Sequence, residues 1–226
     1  MTRKWTCLLL LVLLYGLWLV PAAGAQKLTG ELILQRGVVK VRRFGRERFF
    51  RTPGITVPLF ENDVVQTGPN TRATLFLRLK KEQIQMYSNS HIRLEAVDAE
   101  RTSIAMAIGK ALFSVFRSPT YRTAFGVRTQ TATIGVKGTK FVVGSEVDRS
   151  YVLGLEGFVG VVSVATPDIE VLITKDQALV AAKGLPLSPV VKVTEEEREA
   201  IIREEGLDTF RRLKVTLPEP PTLDDR

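Results

Sequence analysis

The chain has 226 residues, 45% hydrophobic and 25% charged, with 17 Gly, 11 Pro and one Cys. This globular composition excludes a collagen-like repeat, low-complexity disorder and a disulfide-stapled miniprotein. Lys and Arg outnumber Asp and Glu by 32 to 24, and a single His rules out His-cluster metal sites.

Arg3 and Lys4 precede an uncharged run of 14 residues, Cys7 to Val20, which Pro21 ends. Ala23 and Ala25 then place small residues at the −3 and −1 positions of a cut before Gln26. A basic start, a short apolar run and an A-x-A end predict a signal peptide over 1–25, cleaved after Ala25. The run is too short for a comfortable span, which needs about 20 apolar residues. The expected location is therefore periplasmic or secreted, with no membrane span after cleavage and no cytoplasmic segment. Cys7 falls in the removed part, so the mature chain carries no thiol for disulfides or thiolate chemistry.

From Gln26 to Val193 apolar residues recur with a period near two, separated by Gly, Pro, Asn or Asp. The segments Gly37–Arg43, Arg72–Leu79, Lys140–Val143, Tyr151–Leu155, Phe158–Val164 and Ile169–Ile173 all read as strands. In Arg72–Leu79, residues Ala73, Leu75, Leu77 and Leu79 share one face. One packed and one wet face suits an antiparallel or rolled sheet. Turns are marked by Gly68-Pro69-Asn70, Gly109, Ser118-Pro119 and Gly157. The expectation is a mainly β fold: a single rolled sheet or β-sandwich over 26–193, with a short C-terminal helix.

That helix begins at a capping box, Thr194 with Glu197, and its first turn is acidic. Gly206 is the natural stop, near Glu205; a short second helix could follow over Asp208–Leu213, and the end beyond Pro218 reads as flexible. Residues 26–193 carry 24 basic and 14 acidic side chains, and 194–226 carry 6 and 10. A basic body with an acidic end suggests either a tail folding back or attraction to an anionic polymer.

The strongest local chemistry is Lys40-Val-Arg-Arg-Phe-Gly-Arg-Glu-Arg-Phe-Phe-Arg51. Lys40, Arg42, Arg43, Arg46, Arg48 and Arg51, interleaved with Phe44, Phe49 and Phe50, form a candidate surface for polyanions or a partner. The plainer reading is a hairpin with Val39 and Val41 in the core, Lys40 and Arg42 in solvent, and a Phe covering the sheet edge. Changing Arg42, Arg43, Arg46 and Arg48 together is expected to leave folding intact. Arg122, Arg128, Lys137 and Lys140 could extend the basic face.

No G-x-S-x-G, H-E-x-x-H, P-loop or C-x-x-C motif occurs. Ser90 and His91 are adjacent in a strand and point to opposite faces, so they cannot act as nucleophile and base. No catalytic, metal or cofactor residue is assigned, and an enzyme is not expected.

Four stretches in order resemble the FecR domain. They are Val57–Gly68 with its following strand, Ile84–Leu94, Ala107–Val115, and Val127–Phe141 continuing into Leu155–Val161. The resemblance covers roughly Gly30 to Val164. It maps Asp63, Thr67, Gly68, Gly109, Gly138, Thr139, Phe141, Glu156 and Gly157 onto the family's motif positions, whose plain physical reading is structural: turns, bulges and tight hairpins. Asn62 replaces the usual Gly, Lys80-Lys81-Glu82-Gln83 replaces an Asp-Gly-Ser turn, and Gln130 replaces a Pro.

The resemblance implies a periplasmic regulatory domain of iron-citrate-type signalling proteins. The leading expectation is a non-enzymatic binding, sensor or scaffold module of the cell envelope. Its expected partner is an envelope protein or an anionic envelope polymer, not nucleic acid. The alternative is a peptidoglycan- or polysaccharide-binding module using hairpin 40–51.

Overall fold

The computed structural model describes residues 27–77, 82–97, 100–116 and 124–219. The predicted signal peptide, the Lys80-Lys81 and Ser118-Pro119 turns, Arg122 and the last seven residues of the tail lie outside the described residues. In chain order the strands are β1 (Leu28–Arg36), β2 (Val39–Arg43), β3 (Arg46–Phe50), β4 (Thr56–Phe60), β5 (Val64–Thr67), β6 (Arg72–Leu77), β7 (Glu82–Met86), β8 (His91–Val97) and β9 (Arg101–Ser114). They continue as β10 (Ala124–Arg128), β11 (Ala132–Val136), β12 (Lys140–Ser145), β13 (Arg149–Glu156), β14 (Val159–Ser163), β15 (Glu170–Ile173), β16 (Gln177–Ala182) and β17 (Val191–Lys192). Two helices follow, α1 (Glu195–Arg203) and α2 (Asp208–Arg212). The fold is mainly β, as the spacing of apolar residues predicts.

The strands form two layers that share β9. The first layer runs β4-β1-β6-β7-β9-β12-β13-β16-β17. The second runs β3-β2-β5-β8-β9-β10-β11-β14-β15. Arg101–Ile108 of β9 pair in the second layer and Gly109–Ser114 in the first. The crossing falls at Gly109, whose φ is +100°. A Cβ there would lie 2.3 Å from the Ser90 Cα, so no other residue fits the bend.

Between the layers lies one continuous apolar core, in which Phe113, Phe125 and Phe141 meet ring to ring across the sandwich. Second-layer strands keep the expected alternation: in β11, Ala132, Ile134 and Val136 are buried while Thr133 and Gly135 are exposed. First-layer strands β12, β13 and β16 are buried on both faces. The helices are the reason. Ile201, Leu207 and Phe210 pack on Leu112, Val142, Tyr151, Leu153 and Val180, the outer face of that layer. Gly144 admits them, since a Cβ there would lie 2.5 Å from Leu207 Cδ2. Full burial of each such side chain stabilises by about 1.5–3 kcal/mol.

The Thr194–Glu197 capping box forms as predicted. The expected stop differs: α1 ends at an extended Glu204 rather than at a left-handed Gly206. The last carbonyls are taken by a lysine instead. Lys110, fully buried at the start of the first-layer half of β9, donates from Nζ to the Ile201 carbonyl (2.7 Å) and to that of Glu204. A cation at a helix C-terminus also meets the negative end of the dipole. Its ammonium stands 4.2 Å from the Tyr87 ring centroid, and the Tyr87 hydroxyl donates to the Ile202 carbonyl (2.7 Å). Glu205 completes the junction by accepting from Arg72 (2.6 Å), Arg36 and Ser88.

Burial lowers the Lys110 ammonium to about 8, opposed by Glu204 and Glu205 and reinforced by Arg72. Because the folded state releases this proton below its ordinary 10.5, the unfolded chain holds more protons between those values. Stability must therefore rise with pH across that window. Denaturant unfolding from pH 8 to 10 should show that rise, by at most about 3 kcal/mol over the full window. Lys110→Met should flatten it; an unchanged slope would refute the buried ammonium. Burial raises the Tyr87 hydroxyl above its ordinary value.

Candidate functional site

Apart from Asp63, the FecR-like motif residues gather around the Gly109 crossing and the β12–β13 pair. Thr67 Oγ1 donates to the Tyr87 carbonyl (2.6 Å) and accepts from the Ser90 amide (2.8 Å). Ser90 Oγ in turn bonds the Lys110 carbonyl and amide, both at 2.9 Å. Gly68 donates to the Val38 carbonyl. Thr139 is buried, and Gly157, at φ +75°, sits against its side chain where Glu156 pairs with Lys140. Phe141 lies in the ring cluster. Asn62 takes φ +67°, the left-handed geometry that glycine would otherwise supply. These side chains tie strands together; none of them converges on an open cavity.

Ser90 is engaged with the Lys110 backbone, while His91 faces Gln66 at 3.4 Å from either ring nitrogen. Burial, then Arg42, Lys40 and Arg93, lower the His91 pKa. Among the described residues no three His, Cys, Asp or Glu stand close enough to hold a metal, and no helix is long and apolar enough to cross a membrane.

A cleft of about 310 Å³ opens at one end of the sandwich, between the edge strands β3 and β4. Its lining is Val41 and Arg43 of β2, Phe44 at the turn, Arg46, Arg48 and Phe50 of β3, and Thr56 to Pro58 of β4. The pairing of Val41 with Arg48 and of Arg43 with Arg46 puts these side chains on the inner face of the hairpin. Lys40, Arg42, Glu47 and Phe49 take the outer face.

The predicted basic surface is thereby split in two. Lys40 pairs with Glu47 (3.1 Å). Arg43 grips the fully buried Asp63 carboxylate through Nε (2.8 Å) and Nη2 (2.6 Å), donates to the Pro58 carbonyl and lies 4.0 Å from the Phe60 ring centroid. Asp63 also accepts from the Phe60 amide. Arg43 is thus part of the frame, not of a free basic surface. Arg46 and Arg48 have no ion-pair partner among the described residues and line the cleft; Arg51 is exposed beyond β3.

The extended basic face is not assembled either. Arg128 lies on the outer face of the second layer, sharing Glu95 with Arg93, whereas Lys140 belongs to the first layer. Only Phe50 packs toward the core; Phe49 and Phe44 are exposed, Phe44 to 81%. Phe44 also has φ +49°. A bulky residue in that region is strained, and sequence reasoning gave no signal for it beyond the Phe-Gly pair at the turn.

Residues 63–160 match the family model described as FecR protein. Residues 63–160 form a FecR domain. The matched segment begins at Asp63 and holds the motif residues around Gly109, but not the β2–β3 hairpin or the helices. Two crystal structures of a "putative anti-sigma factor" from Parabacteroides distasonis ATCC 8503, at 1.65 and 2.50 Å resolution, are similar in fold. Each has a TM-score of 0.52 at 17% identity, covering 62% of this chain and 64% of that one. No curated protein matches the chain significantly.

Arg43→Ala should destabilise the protein by about 2 kcal/mol, because it strands a buried carboxylate at a partly exposed pair. Arg42→Ala should stay within about 0.5 kcal/mol of wild type. Phe44→Asn should stabilise by about 0.5–1 kcal/mol through relief of the left-handed backbone. Equilibrium unfolding of the three variants checks all of these values.

Proposed function

We propose that this chain is a non-enzymatic regulatory module, exported to the cell envelope, that binds an envelope protein through the cleft between β3 and β4. The observation that carries the reading is the pair Arg46 and Arg48. Both stand without an ionic partner among the described residues on the wall of a cleft floored by Val41, Phe50 and Val57. Apolar floor and cationic wall together favour a partner that is anionic and apolar by turns. The FecR domain supports a regulatory role, and the basic start and short apolar run over 1–25 support export. In this reading the FecR motif supplies the rigid frame and the hairpin supplies recognition.

A second reading, a module for peptidoglycan, polysaccharide or another polyanion, rests on the outer face. There burial, then the neighbouring Arg42, Lys40 and Arg93, lower the His91 pKa. The two readings use opposite faces of one hairpin, so variants separate them. The first expects retention on immobilised envelope protein, falling at least fivefold in Arg46→Ser/Arg48→Ser. The second expects retention on purified peptidoglycan, falling in Arg42→Ser/Arg93→Ser. Retention of both variants equal to wild type on both supports would reject both surfaces.

A further inference from the structure

The cleft has an open lip and a closed one. On β4 the edge is blocked: Pro58 has no N–H, and its carbonyl already accepts from Arg43. On β3 the edge is free. It pairs with β2 on one side, and no described strand pairs with the other. Four of its five residues are exposed. An edge strand next to a cleft lined by its own inward side chains is the geometry of strand addition, in which main-chain bonds give affinity and alternate side chains give specificity.

We propose that β3 is the docking edge for an extended acidic segment of a partner protein, which adds as an antiparallel strand and roofs the cleft. This rests on the first reading of function above. Arg46, Arg48 and Phe50 occupy alternate positions on the inner face, so the residues opposite them are fixed in kind. An antiparallel partner reads apolar–any–acidic–any–acidic: the apolar residue faces Phe50, and the carboxylates, about 7 Å apart, face Arg48 and Arg46. The apolar residue also packs toward Val41 and Val57 at the floor of the cleft. Charge disfavours a second copy. With the two-fold axis at Arg48 or at Glu47, antiparallel pairing of β3 with itself puts Arg48 against Arg48, or Arg46 against Arg48.

The test uses the mature chain and a labelled seven-residue peptide carrying the sequence Val-Thr-Glu-Lys-Asp at its centre, followed by fluorescence anisotropy. Binding is expected, with affinity lowered at least tenfold by Arg46→Glu/Arg48→Glu and by a peptide in which the two carboxylates are moved one residue along. Thermal unfolding of the double variant should match wild type. Amide exchange should slow in β3 on binding, and not in β15, the opposite edge. Equal affinity for the shifted peptide, protection absent from β3, binding only to phosphatidylglycerol vesicles, or concentration-dependent dimerisation through β3 would each overturn the proposal. Failure of the peptide with Arg46/Arg48-dependent retention on envelope protein intact would sink strand addition alone and leave the broader reading standing.

Discussion

Strand β9 has to belong to both layers at once, and everything else is arranged around that requirement. Its first half hydrogen-bonds in one sheet and its second half in the other. The bend at Gly109 is therefore a hard steric point, with Ser90 filling the space where a side chain would be. Thr67 and Ser90 then satisfy the backbone groups that the bend takes out of register. A buried amide or carbonyl left without such a partner costs roughly a lost hydrogen bond or more. Thr67 and Ser90 are buried here for that reason.

The residue after the bend sets the third layer. Lys110 emerges from the crossing toward the outer face of the first sheet, where it closes the end of α1. The helices cover an apolar surface that runs from Tyr87 to Val193. Among the described residues the second sheet has no such cover. Its outer face carries the Lys40, Arg42 and Arg93 cluster, while its inner face opens into the cleft. The two faces of one hairpin consequently present different chemistry, one a hydrated basic surface and the other an apolar slot with two arginines on its wall.

Much of this was legible in the residues. The period of two along Gln26–Val193 announced the strands, and Thr194 with Glu197 announced the helix start. Both are local signals, decided within a few residues of chain. The same holds for the Arg-rich hairpin. What failed was also informative. Gly206 looked like the helix stop because glycine commonly ends helices, but a buried lysine 96 positions earlier in the chain takes the carbonyls instead. Arg43 looked interchangeable with Arg42, since neighbours in a basic run carry no mark of which one faces a buried aspartate.

The amino-acid sequence by itself determined the strand content, the capped helix and left-handed sites such as Asn62 and Gly157, because these depend on backbone sterics and on the alternation of apolar side chains. Tertiary structure alone decided which edges remained free, which arginines kept their charge unpaired and where Lys110 was buried. Those outcomes depend on partners distant along the chain, such as Asp63 for Arg43 and the α1 carbonyls for Lys110, and a periodicity cannot encode which distant groups will meet.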